Sequence, residues 1–398
     1  MTATATTSHW QTDARAEPST NALPARCDVA VIGGGIAGVS TAYWLRQLDA
    51  NLDVVIVERE RLAHGASGRN AGFLLQGTDA DFARTADERG PEAAWRLWQF
   101  TQENRDVLVD AVAGAGVGLA ASGSFSVAGD EMEDDRLRRA ADLLRARGVA
   151  VHYLSSEETN ARLGSVGFFG ALHVESGAML HPVRTVRTLA ERSGAQVVEG
   201  CSVERIESVD SGVRVVTDGG TLDAGHAVLA LNAYLPQFVP DLARFVRPIR
   251  AQMLATAPLP HRLAAPVYSH EGYFYLRQLA TGEVLLGGAR HRHRAAEVGY
   301  DDATTAPLQA DLEAYLRDHF PAFADAPVAR RWSGTMGFSA DGLPAFGAVP
   351  GVAGSLWVGG FTGHGMGYGF RMGRLVAATL LGQSDPFTDL FDAQRFGV

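Results

Sequence analysis

The sequence contains no lysine; all 35 of its basic residues are arginine. This excludes a Schiff-base lysine, a lysine general base and a lysine cation that activates oxygen. Cysteine is nearly absent. Cys27 and Cys201 both lie in apolar, strand-like runs, which suits two buried thiols better than a disulfide or a metal pair. A reducing, cytoplasmic location fits them. No run approaches the roughly 18 apolar residues of a transmembrane helix, so no membrane span is expected. Residues 1–24 lack a basic start and an apolar core, so they are expected to form an arm, with Trp10 docking on the body, and not a secretory signal. Positive charge is also in deficit. The 35 basic and 45 acidic residues leave a net charge of −10, which argues against a nucleic-acid partner.

Glycine is plentiful, and its placement carries meaning. In CDVAVIGGGIAGVS, at 27–40, an apolar run is followed by glycines and then by a helical pattern. A strand is expected over 29–32, a helix over 38–47 and a second strand over 54–57. Gly33, Gly35 and Gly38 satisfy G-x-G-x-x-G inside this β-α-β unit. The first glycine permits the tight turn, the second lets backbone approach a pyrophosphate, and the third lets helix and strand pack closely. The N–H groups around Ile36, Ala37 and Gly38 then face the anion at a helix N-terminus. Glu58 ends the second strand, 20 residues after Gly38, where a carboxylate accepts from ribose hydroxyls and repels a 2′-phosphate. Arg59 follows it.

A second loop of small residues, 65–72, contains Ser67, Arg69, Asn70, Ala71 and Gly72 and offers backbone donors to a dinucleotide larger than NAD. Near the C-terminus a strand, a glycine loop and a helix recur, with Gly363, His364, Gly365, Met366 and Gly367 at the turn. A helix N-terminus there would favour the negative charge of a reduced flavin. Together these features point to FAD. No second G-x-G-x-x-G follows a strand, so electrons are expected from an organic substrate and not from NAD(P)H.

Helical patterns over 91–112, 131–147, 157–163 and 181–193 alternate with β-runs over 122–127, 196–198, 202–208, 227–231 and 247–290. Such blocks suggest two interleaved domains. Tyr273 and Tyr275 share one face of a strand, either as an amine cage or as sheet packing. His291 and His293, in HRHR, are expected in a solvated basic turn, and no metal site is expected.

GASGRNAG at 65–72, VLALNAYLP at 228–236, RPIRAQMLATAPL at 247–259, DGLPAFG at 341–347 and FTGHGMGYG at 361–369 carry a family resemblance. With the fingerprint, they make the chain resemble the D-amino-acid oxidase superfamily, which includes glycine, sarcosine and gamma-glutamylputrescine oxidases. The resemblance implies an α/β fold: a Rossmann-like FAD-binding domain (25–90, 151–235 and 330–398) interleaved with an antiparallel-sheet α+β substrate domain (91–150 and 236–329). It implies non-covalent FAD, with Val203 meeting adenine through its backbone and Gly334 in the cofactor set. It further implies oxidation of a C–N bond in a small amine or amino-acid substrate, by hydride transfer to flavin N5. The imine hydrolyses, and oxygen or another acceptor reoxidises the flavin.

His364, Tyr273, Tyr275 and Arg277 are the expected catalytic residues, and Arg69 is expected as a cation beside the ring. Two departures qualify the resemblance. Met336 occupies the position of the carboxylate-binding arginine, five residues before Asp341, leaving Arg277 or Arg290 to replace it, or a substrate with no carboxylate to bind. The oxygen-activating lysine of sarcosine oxidases has no counterpart. An NAD(P)H-dependent flavin monooxygenase, a tRNA-modifying flavoprotein module and a non-enzymatic FAD-binding subunit remain as alternatives, and oligomeric state is not legible.

Overall fold

Residues 5–12 and 21–397 are described by the computed structural model, so parts of the expected arm, 1–4 and 13–20, lie outside the described residues. The apolar run after Cys27 forms the strand Arg26–Ile32, whose last four residues are buried. It lies inside an eight-stranded sheet, between the parallel strands Gly220–Leu229 and Val54–Val57. Ser355–Gly359 and Gln196–Val198 extend the parallel array, and Ala345–Ala348 closes one edge antiparallel. Strands covered on both faces need unbroken apolar runs, which is why VVIV at 54–57 is buried throughout.

Three helices, Ile36–Leu48, Pro182–Ser193 and Gly365–Leu380, pack together over this sheet. The glycines of the last helix make that contact possible. Gly365, Gly369 and Gly373 are four apart and therefore share one face. A Cβ at Gly373 would lie 2.5 Å from the backbone carbon of Ser40, and one at Gly369 would lie 3.0 Å from Ile36. Much of the C-terminal glycine repeat thus serves helix packing. A fourth helix, Pro91–Ala111, braces the same element: Asn104 Nδ2 donates to the Met366 carbonyl at 3.0 Å, and its Oδ1 accepts from the N–H groups of Phe370 and Arg371.

The second sheet also has eight strands, in the order Val328–Ser339, Val246–Thr256, Val284–Gly288, Phe274–Gln278, Val267–Ser269, Ser124–Val127, Gly170–Val174, Val151–Ser155. All neighbours are antiparallel except Val267–Ser269 with Ser124–Val127. This pairing runs across the expected domain boundaries. Strands within 151–174, and the strand Val328–Ser339, had been grouped with the nucleotide domain but pair into the second sheet.

Alternation divides this sheet's two faces. Leu254, Leu276 and Leu286 are buried with Leu308, Leu312 and Leu316 of the helix Ala306–His319, an element the sequence reading did not include. On the other face Met253 stands opposite Gly287, Gly287 opposite Tyr275, and Tyr275 opposite Tyr268. No described helix is long and apolar enough to cross a membrane.

Candidate active site

A cavity of about 1170 Å³ runs from the fingerprint turn to the face carrying Tyr268 and Tyr275. At its first end Gly33 has φ +111°, and a Cβ there would lie 2.7 Å from the Ala230 carbonyl oxygen. A Cβ at Gly38 would meet the Gly33 carbonyl at 2.0 Å. Only glycine fits either position. The helix Ile36–Leu48 begins here with no acidic residue in its first turn. Ile36 donates its N–H to Ser67 Oγ at 2.9 Å, while the helix's own ladder leaves the N–H groups of Ala37 and Gly38 available to an anion.

Glu58 accepts from Gly34 N–H at 2.6 Å and from Glu60 N–H at 2.9 Å. Burial holds its carboxyl above the usual range, and these two backbone donors oppose the shift. A carboxylate has about four acceptor positions, so two remain for hydroxyl groups in the cavity. Arg59, Val203 and Cys201 also line this end.

The loop 65–72 is held by its own side chains. Asn70 Nδ2 donates to the carbonyls of Ala66 and Ser67, and its Oδ1 accepts from Gly72 N–H at 2.7 Å. Arg69 lines the cavity, but its charge is not free there. The guanidinium of Arg69 pairs with Asp302 at 3.0 Å and donates to Thr6, His64 and Ser333, so its charge is already matched. Arg277 does not line the cavity. Its strand passes behind the loop, and its Nη1 donates to the carbonyls of Ala71, Gly72 and Leu180 at 3.1, 3.2 and 2.9 Å. Burial lowers Arg277 to about 10. Both arginines fasten the loop to the second sheet.

The opposite end is aromatic. Tyr268 lies 5.3 Å from Phe73, 6.0 Å from Tyr275 and 6.1 Å, stacked, from His364 (ring centroids). Burial raises the phenol of Tyr268 far above its ordinary range and that of Tyr275 to about 12, so both stay neutral. Neither hydroxyl has a hydrogen-bond partner among the described residues. Tyr275 can lie across the neighbouring strand because Gly287 has no side chain; a Cβ there would sit 2.4 Å from its ring. Tyr273 also lines the cavity, with its hydroxyl bound by Arg294 at 2.9 Å and its ring 4.5 Å from His291. His293 pairs with Asp311 at 2.7 Å.

The chain turns into the helix Gly365–Leu380 through Thr362 and Gly363, with φ of +47° and +82°. His364 Nδ1 lies 3.0 Å from the Thr362 carbonyl. A carbonyl only accepts, so Nδ1 carries the proton and Nε2 of the neutral ring is an acceptor. Met366, Gly367, Gly334 and Met336 line the same end.

Sequence reasoning missed Tyr268, Met253 and Asn232. Tyr268 alternates with buried Val267 and Ser269 in a three-residue strand too short to show a period. Asn232 was legible within LNAY; its Oδ1 accepts from Gly360 N–H at 3.0 Å and anchors the approach to the Thr362 turn.

Comparison with known proteins agrees with this geometry. The profile of the FAD dependent oxidoreductase family (DAO) matches residues 28–379. A probable oxidoreductase, OrdL, of Rhizobium meliloti (strain 1021) is 28% identical over 376 residues, covering 90% of this chain and 84% of its own. Gamma-glutamylputrescine oxidoreductase of Escherichia coli (strain K12) is 27% identical over 375 residues, covering 91% and 85%. Glycine oxidase from Geobacillus kaustophilus superposes with a TM-score of 0.79 at 22% identity, over 93% of this chain and 98% of that one.

Proposed function

Because this chain belongs to the FAD dependent oxidoreductase family, we propose that it oxidises the C–N bond of a small amine or amino-acid-like substrate. The cofactor is FAD, and the residues present fit it. Glycines whose Cβ would collide with backbone open the first turn, Glu58 keeps free acceptor positions, and the cavity continues to the His364 turn. FAD held there would supply an acceptor for the hydride leaving the carbon beside a neutral amine and an outlet for the electron pair to oxygen or another acceptor, and water would hydrolyse the imine.

The observation that carries this reading is the aromatic chamber at the far end of the cavity. Tyr268, Tyr275 and Phe73 form apolar walls that exclude water and hold an amine against ring faces. His364 Nε2 accepts the proton that an ammonium must lose before hydride can leave. The N–H groups that open the helix Gly365–Leu380 stabilise negative charge at the mouth of that turn. Relatives named for gamma-glutamylputrescine and glycine oxidation support the substrate class. The two free thiols, Cys27 and Cys201, support a cytoplasmic location.

Anaerobic addition of amines and amino acids to the yellow protein tests this directly. Flavin bleaching is expected with at least one of these classes, and His364→Gln is expected to slow it by about 10²-fold or more. A flavin that NADPH reduces and no amine does would overturn the reading.

A further inference from the structure

Asparagine is a poor residue for the middle of a buried helix, because its amide competes for backbone groups and is costly when unpaired. Asn104 nevertheless sits in the helix Pro91–Ala111 with no exposure at all. Its partners all lie on the helix that follows the His364 turn. Nδ2 donates to the Met366 carbonyl at 3.0 Å, and Oδ1 accepts from the N–H groups of Phe370 and Arg371, each at 3.0 Å. In an α-helix the carbonyl of residue 366 and the N–H of residue 370 are each other's ordinary partners. Asn104 therefore engages both members of one rung, and both acceptor positions of its Oδ1 are filled.

The donated bond does not end at Met366. The Met366 carbonyl and the Gly367 N–H belong to one conjugated peptide group, so a donor at the oxygen makes that N–H a stronger donor. Gly367 N–H donates in turn to the His364 carbonyl at 3.0 Å. That carbonyl shares its peptide group with the Gly365 N–H, which has no hydrogen-bond partner among the described residues. Gly365 lines the cavity, and Asn104 does not. Two hydrogen bonds and two peptide groups thus connect a buried side chain outside the cavity to a free donor inside it.

We propose that Asn104 is a positioning residue for the electron-accepting step. It holds and polarises the start of the helix Gly365–Leu380, and so raises the preference of the site for the negative charge of a reduced flavin. Its role rests on the flavin reading of this cavity given above. No substrate contact is involved.

The midpoint potential of FAD-loaded protein would be measured by dithionite titration against a reference dye, in the wild type, Asn104→Leu and Asn104→Ala. Phe100→Leu is the control, since Phe100 is buried on the same helix and packs 5.9 Å from the Tyr368 ring without a hydrogen bond to these peptide groups. Loss of the donated bond should cut the preference for reduced over oxidised flavin roughly 2- to 5-fold, the size of a helix-terminus effect. For a two-electron couple that is a potential lower by about 10 to 20 mV. Flavin reduction by an amine should slow with little change in KM. Phe100→Leu should lose stability and keep the wild-type potential. An unchanged potential in a folded, loaded Asn104 variant overturns the proposal, and so does an equal shift in Phe100→Leu. Loss of flavin or of folding in both Asn104 variants, with Phe100→Leu intact, would make Asn104 a structural brace and likewise overturns it. Dithionite needs no amine. A shifted potential in protein that no amine reduces would therefore end the C–N oxidation reading and leave the role of Asn104 standing, whereas a wild type that takes up no FAD removes both.

Discussion

Trp10 donates its indole N–H to the carbonyl of Asn70 at 2.6 Å, which ties the N-terminal segment to the loop beside the cofactor cavity. Ser8 Oγ donates to the Gly68 carbonyl at 2.6 Å and Gln11 Nε2 to the His64 carbonyl at 2.8 Å. The Trp10 ring is buried against His181 and faces the Arg277 guanidinium at 5.5 Å. A short stretch of arm thus donates to three carbonyls in and beside the loop.

Trp10→Ala is therefore expected to destabilise the protein by about 3–5 kcal/mol, the range for deleting a buried large aromatic. FAD retention should fall with it, because the loop loses its backing. Trp10→Phe keeps most of the ring and loses one hydrogen bond, a loss of about 1 kcal/mol. Thermal denaturation and flavin fluorescence on release would separate the two. Equal retention in Trp10→Ala and wild type would show that the loop holds its shape without the arm.

Glu58 gives a second prediction, with opposite effects on the apoprotein and the holoprotein. Burial raises its folded pKa above the unfolded value, because desolvation penalises the charged form. The associated stability is full below the ordinary carboxylate range and is lost as pH rises through the folded value. Ribose hydroxyls that donate to the carboxylate relieve that desolvation penalty. Glu58→Gln should leave the apoprotein melting temperature at pH 7 unchanged or higher, while weakening FAD roughly tenfold. Titrating apoprotein with FAD checks the second part; unchanged affinity would remove Glu58 from the ribose site.

The first half of this site was legible in the sequence because its signals are local. A strand, a glycine turn and a carboxylate one strand later lie within about 30 residues, and each has its own physical reason. The second half depends on pairings between distant segments. Arg277 and Arg290 look equivalent in the sequence, yet one passes behind the loop and the other turns into the cavity through Gly288 and Ala289. Gly365 reads as part of a cofactor loop, yet it shares with Gly369 and Gly373 the face that packs on another helix; whether a glycine faces a ligand or a helix depends on what packs against it. Strand membership of 151–155 and 328–339 was hidden for the same reason: alternation reveals a strand and not its partner.

Gly287 yields a third prediction from packing alone. Its missing side chain is where the Tyr275 ring lies, and a Cβ would approach the ring and hydroxyl at 2.4 to 2.6 Å. Gly287→Ala must displace the ring toward the cavity. Loss of kcat/KM of about 10- to 100-fold is expected, as for a small misplacement of a positioning group. FAD content should not change, since Gly287 belongs to the second sheet and the fingerprint turn to the first. Loss of flavin in this variant would mean that the second sheet bears on cofactor binding more than on substrate.

His270 makes stability depend on pH at a place remote from the fingerprint. Its ring lies among Phe274, Tyr315 and His319 at centroid distances of 5.5, 5.9 and 5.6 Å, with Nδ1 3.0 Å from Ser269 Oγ. Burial, followed by His319, His291 and Arg292, lowers its pKa to about 4. The unfolded chain takes up this proton near the ordinary histidine value of about 6.5, the folded chain only near 4. Between those values unfolding binds a proton, so stability is full above the upper one and falls as pH drops toward the lower. Discounted for partial exposure, the loss is about 2 kcal/mol. His270→Asn suits the test, because φ is +52° and asparagine tolerates that region. Urea denaturation from pH 4 to pH 7 should show a shallower fall in the variant than in the wild type. Parallel curves would mean that His270 takes up its proton in the folded chain as readily as in the unfolded one.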